Sequence, residues 1–181
     1  MKSRLRQSCV YLQDTCTEIL GYRFYGSPWT PAALGWGFFR ERGKPIRCVW
    51  QHMLKQHRLK PIDILITHGP AFGIGDSRFG PPIAPCVRGE EGESNASNLD
   101  NKSVPSIIGK KLSKGHVGDS ELLKAILAMS PRPLYHIFGH VQSAYGAWTV
   151  GNSTFVNAAT ANQNVKLAHE PVIIYLPRRV A

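Results

Sequence analysis

Two histidines in this chain each close an apolar run. His68 ends "DILITHGP", and His140 ends "YHIFGH". Neutral imidazoles at strand ends are suited to fixing the geometry of a divalent ion, provided carboxylates offset its charge and one position stays open for water or substrate. Two positions after His140, where a second imidazole would extend such an edge, the residue is Gln142, a neutral amide and a poor ligand. By spacing alone the signal is weak, because a lone histidine at a strand end is more often a hydrogen-bonded structural residue than a ligand. The order of the elements says more: an apolar strand, a helix, then a second apolar strand would set two parallel strands side by side and bring both rings to one sheet edge.

The elements that must hold these residues can be read from periodicity. "PIDILITHGP" alternates Ile62, Ile64 and Ile66 with Asp63, Leu65 and Thr67, and Gly69-Pro70 ends it, which predicts a strand. From Pro45 the apolar spacing becomes Ile46, Val49, Trp50, Met53 and Leu54, one face of a helix with proline in its first turn. His52 and His57 fall on the outer side of that helix and are expected to be solvated. "GDSELLKAILAMSP" predicts a second helix, capped by Asp119 or Ser120, burying Leu122, Leu123, Ile126 and Leu127, and stopped by Pro131. In the strand that follows, His136 is expected to be a packed residue rather than a ligand.

Upstream, "CVYLQDTCTEILGYRFYGSPW" predicts a hairpin with strands near Val10 to Leu12 and Tyr22 to Tyr25. Downstream, "AYGAWTVG", "STFVNAAT" and "PVIIYLP" predict short strands. Between about residues 76 and 114 periodicity gives way to Gly, Pro, Ser, Asn and charge. That predicts a disordered insertion, with His116 a loop residue at its far edge.

A chain of 181 residues suits one domain with a sizeable core, and 43% hydrophobic content excludes a disordered class. The formal charge of +10 favours anionic partners. The basic residues are scattered and no aromatic platform accompanies them, so nucleic acid is not the expected partner. Cys9, Cys16, Cys48 and Cys86 have no CxxC spacing, which argues against a zinc knuckle or a disulfide scaffold. No apolar run reaches the length of a membrane helix and no secretory leader is read at Met1, so a cytoplasmic protein is expected, with its N-x-[ST] triplets unused.

Taken together, "YLQD", "GYRFYGSPWTP", "DILITHGP", "IFGHVQSAYG", "FVNAAT" and "PVIIYLP" resemble the calcineurin-like metallophosphoesterases, in particular the metallophosphoesterase domain-containing proteins of animals. The resemblance covers nearly the whole chain apart from the insertion. It implies an α/β fold, part of a four-layer αββα sandwich, and a hydrolase acting on a phosphomonoester or phosphodiester small molecule through divalent ions (Mn, Fe or Zn). His68 matches the family's lone histidine and His140 the first histidine of its G-H-x-H pair, both metal ligands. Gln142 stands where the second histidine of that pair belongs.

The family's D-x-H, G-D-x-x-[DN] and G-N-H-[DE] motifs are absent from the sequence. The chain is therefore expected to represent a truncated, C-terminal portion of such an enzyme, with no catalytic residue of its own to assign and with metal binding weak or absent. Two ions about 3.5–4 Å apart need anionic ligands between them, and two imidazoles with one amide supply none. The alternative is a non-catalytic binding or regulatory module that keeps part of the fold. In either case a sheet edge left without its neighbour would offer a surface for self-association.

Overall fold

The computed structural model describes residues 8–31, 37–77 and 115–179. Most of the stretch from 76 to 114 lies outside them. Asp76 and Ser77, at its start, are described and buried.

Six strands form one sheet in the order β1-β2-β3-β4-β6-β5: β1 (Thr15–Ile19), β2 (Tyr22–Ser27), β3 (Ile64–Thr67), β4 (Tyr135–Phe138), β5 (Gly146–Val150) and β6 (Ser153–Asn157). The two outer pairs are antiparallel hairpins, while β2, β3, β4 and β6 run parallel. Parallel neighbours need crossover connections, and helices provide them. The helix α1 (Lys44–Leu59) joins β2 to β3, and α2 (Ser120–Leu127) lies between β3 and β4. The class is therefore mixed α/β, and a second sheet is not among the described elements.

Register decides which side chains meet the helices. Tyr25, Leu65, His136 and Phe155 lie abreast on four strands and are all buried. With Trp148 of β5 they pack against Ile46, Trp50 and Met53 of α1 and Leu122 and Ile126 of α2. Burying such large apolar groups stabilises the fold by about 1.5–3 kcal/mol each. On the opposite face Phe24, Tyr135 and Ile137 are half-exposed and Ile66 is exposed.

The first strand begins later than expected: Val10 to Leu12 form no ladder, and β1 starts at Thr15. Leu12 instead packs onto the strand position of Gly26, where an added Cβ would collide with the Leu12 Cβ. The run "PVIIYLP" joins no ladder among the described residues. It is held by side chains at its two ends. Tyr145 donates to the Glu170 carbonyl at 2.7 Å and Tyr22 to the Pro177 carbonyl at 2.6 Å. Arg179 lies over the Tyr22 ring and pairs with Asp63 at 2.9 Å.

His57, expected to be solvated, is 95% covered. Its helical spacing from Trp50 and Met53 places it on the buried face of α1. It sits in the last turn of α1, where its Nδ1 accepts the Ile62 backbone N–H at 3.0 Å and so links the helix to the start of the next strand. No helix among the described residues is long and apolar enough to cross a membrane.

Candidate functional site

The two strand-end histidines do meet. Strands β3 and β4 are parallel neighbours with Ile66 opposite Ile137, so the residues just past their carboxyl ends emerge side by side. The His68 and His140 ring centroids lie 4.9 Å apart, with the ring planes at 56°. The backbone ties the two turns together: the His68 N–H donates to the Ser27 carbonyl at 3.2 Å, and the Gly139 N–H to the His68 carbonyl at 3.1 Å.

His140 adopts φ of 70°, the left-handed region that few residues other than glycine favour, and histidine is among the more tolerant exceptions. Such conformations persist where the surroundings over-determine them and are common at sites. Gly69 contributes by its size. A Cβ there would stand 3.1 Å from the Thr30 hydroxyl and 3.9 Å from the His140 ring.

Both rings open onto a cleft of about 670 Å³, lined also by Gln142, Ser143 and Ala159. Desolvation lowers the His68 pKa below its ordinary value, which keeps the ring neutral at physiological pH and its nitrogen lone pair available. Two adjacent imidazoles, in their neutral form, fit part of the shell of one divalent ion, each needing to approach to about 2.0–2.1 Å. They do not fit a two-ion centre, because the described lining of the cleft contains no carboxylate. Among the described residues no group of three or more His, Cys, Asp or Glu side chains could hold a metal ion.

The shell behind the cleft is built from polar residues that sequence reasoning passed over. Asn157, fully buried at the end of β6, donates to the Val141 carbonyl at 2.8 Å and the Gly75 carbonyl at 3.3 Å, and accepts the Ala159 N–H at 3.1 Å. One amide thus fixes three loops around the histidines, and its only sequence signal was its place in "FVNAAT".

His116, read from sequence as a plain loop residue, has its Nδ1 2.7 Å from the carboxylate of buried Asp76, which also accepts the Gly118 N–H at 3.0 Å. Asp119 caps α2 through the Glu121 N–H at 2.9 Å and accepts the Trp50 indole N–H at 2.6 Å. Its backbone holds the loop after His68: the Asp119 N–H donates to the Pro70 carbonyl at 3.0 Å, and the Phe72 N–H to the Asp119 carbonyl at 3.1 Å. His136 is packed in the core, as its strand position indicated, and fully buried.

No protein-family model matches the chain. Curated relatives do. The human metallophosphoesterase domain-containing protein 1 is 34% identical over 175 residues, 96% of this chain and 41% of that protein, and the mouse protein of the same name matches equally. A UPF0046 protein of Caenorhabditis elegans is 31% identical over 96% of this chain and 34% of its own length. The matches extend across both histidine-bearing strands and the loops that hold them. The chain is thus a relative of the metallophosphoesterase domain-containing proteins, spanning about two fifths of the length of the human and mouse members.

Proposed function

We propose that this chain supplies the histidine part of a divalent-metal phosphoesterase site, with His68 and His140 as ligands of one ion and a phosphoester as the substrate class. The observation that carries the reading is the convergence of those two rings, 4.9 Å apart, at the carboxyl ends of adjacent parallel strands and on an open cleft. Kinship to proteins named for a metallophosphoesterase domain supports the same chemistry.

The metal, when bound, would polarise a phosphoryl oxygen or lower the pKa of a water. This chain's part is to keep two imidazoles adjacent and fixed in orientation. The described cleft contributes no carboxylate, so the anionic ligands of a complete site would come from polypeptide beyond the described residues or from another chain. On its own the protein binds one ion weakly and turns over little or no phosphodiester.

Gln142 supports a second reading, a non-catalytic module. It lines the cleft beside both histidines and offers an amide where an imidazole would tighten the shell.

Both readings are tested on purified protein by Zn²⁺ and Mn²⁺ titration, together with hydrolysis of a generic phosphodiester with and without Mn²⁺. The expected result is weak binding of one ion, lost in His68→Ala, with negligible turnover. Robust Mn²⁺-dependent turnover that disappears in His68→Ala would overturn the expected inactivity and make the chain self-sufficient. Zn²⁺ binding unaffected by His68→Ala would remove the proposed site.

A further inference from the structure

The residue before His68 and a fully buried ring on the neighbouring strand form a chain of hydrogen bonds with a defined direction. The Thr67 hydroxyl lies 2.7 Å from the Gly69 carbonyl oxygen and 2.7 Å from His136 Nε2. A hydroxyl has one proton, and a carbonyl can only accept. The Thr67 proton therefore points to Gly69, and the bond to His136 can form only if His136 Nε2 carries a proton and donates.

A second observation leads to the same tautomer. His136 Nδ1 is buried and has no hydrogen-bond partner among the described residues. An orphaned buried N–H costs the full desolvation of a donor, and a bare ring lone pair among the rings of Phe138 and Phe155 avoids leaving that donor unmet. Neutral His136 with its proton on Nε2 satisfies both ends of the arrangement.

We propose that His136, acting through Thr67, is a positioning residue for His68. Its N–H orients the Thr67 hydroxyl, which clamps the Gly69 carbonyl and fixes the two-residue turn in which His68 lies. The anchor is on β4, the strand whose carboxyl end leads through Gly139 into His140. The relay thus references one imidazole turn to the strand that delivers the other, and sets their separation. Its metal consequence rests on the reading of His68 and His140 as ligands of one ion; the tautomer and the turn geometry do not.

The test has two independent arms. Long-range ¹H–¹⁵N correlation spectra of the metal-free protein report which His136 nitrogen is protonated and whether the His68 ring signals move in variants. Expected are an Nε2–H His136 in the wild type, displaced His68 signals in Thr67→Val, and wild-type-like signals in Thr67→Ser, which restores the hydroxyl. A protonated Nδ1 in the wild type, or His68 signals indifferent to Thr67→Val, would overturn the relay.

In the second arm Zn²⁺ is titrated into the same proteins. Residues that orient a metal ligand typically contribute about 10–100-fold in affinity, so Thr67→Val and His136→Phe are expected to weaken Zn²⁺ binding about tenfold or more, and Thr67→Ser by much less. Thr67→Val that retains wild-type Zn²⁺ affinity, with binding still abolished by His68→Ala, would overturn the positioning role. If the wild type binds no Zn²⁺ through His68, the metal reading fails by itself, and the spectroscopic arm still decides the relay. Thr67→Val and Thr67→Ser change little volume, so the pair remains informative if His136→Phe folds poorly.

Discussion

Replacing Asp119 with alanine should destabilise the protein by about 2–4 kcal/mol, more than a surface cap would. Loss of an Asp N-cap contributes about 0.5–2 kcal/mol, because the Glu121 N–H it accepts at 2.9 Å loses its partner. The Trp50 indole adds a second cost. It is 1% exposed and donates to the same carboxylate at 2.6 Å, so truncation leaves a buried donor unpaired at about 1–3 kcal/mol. Part is offset, since desolvation raises the Asp119 pKa and its ionised form opposes folding.

The cleanest assay is a double-mutant cycle by urea unfolding followed by far-UV circular dichroism, because Trp50 makes fluorescence unsuitable. Trp50→Phe removes the orphaned donor. Asp119→Ala with Trp50→Phe should therefore cost less than the sum of the single changes, by about 1–2 kcal/mol. A single-mutant cost below about 1 kcal/mol, or strict additivity, would refute the view that this buried pair fastens α1 to the start of α2.

Stability should also fall as the pH drops below about 6.5, because burial pushes the His136 pKa down to about 3 and lowers those of His57 and His68 as well. Each ring favours its neutral form in the fold and takes up its proton on unfolding, so its contribution is complete above the unfolded pKa and is lost as the pH falls toward the folded one; for fully buried His136 the loss runs at about 1.4 kcal/mol per pH unit. Urea midpoints at pH 7.5 and 5 should differ accordingly, and the difference should shrink in His136→Phe. Gly75→Ala should cost about 2–4 kcal/mol, seen as a depressed melting temperature, since φ there is 59° and the new Cβ would meet the Trp148 ring at 2.5 Å. Gln142→His should tighten Zn²⁺ binding by about tenfold or more without creating phosphodiesterase activity, as a third imidazole adds no negative charge. Unchanged affinity in Gln142→His would mean that this side chain does not face the ion.

The sequence made the strand-end histidines legible because two local signals coincided, an apolar alternation and a Gly-Pro or Gly-His break, and because helices between parallel strands have few other ways to connect. Helix α1 was similarly legible, as Ile46, Trp50 and Met53 repeat at helical spacing. His57 was misread for a physical reason. Its spacing continues the buried face of Ile46, Trp50 and Met53, but its polar residue type pointed to solvent; the ring is buried there with its Nδ1 accepting the Ile62 N–H. Of the polar shell only the capping role of Asp119 had a local signature: Trp50 meets Asp119 across 69 residues and Asp76 meets His116 across 40, and neither pairing follows from periodicity. Val10 to Leu12 had the composition of a strand without its partner, since Leu12 spends its side chain filling the space above Gly26.

The left-handed backbone at His140 has a consequence for how any substitution there should be interpreted. At φ of 70° a side chain's Cβ crowds the neighbouring carbonyl, at about 1–2 kcal/mol for an ordinary L-residue, while glycine adopts the conformation freely. An alanine scan would therefore mix two effects at this position, removal of an imidazole and a change in the torsional preference of the loop that presents it. His140→Ala and His140→Val could relax the turn and displace His68 as well, imitating loss of both rings. His140→Gly removes the imidazole while leaving the turn its favoured geometry, and the difference between the glycine and alanine variants measures how far the loop, rather than the ring, holds the cleft in shape.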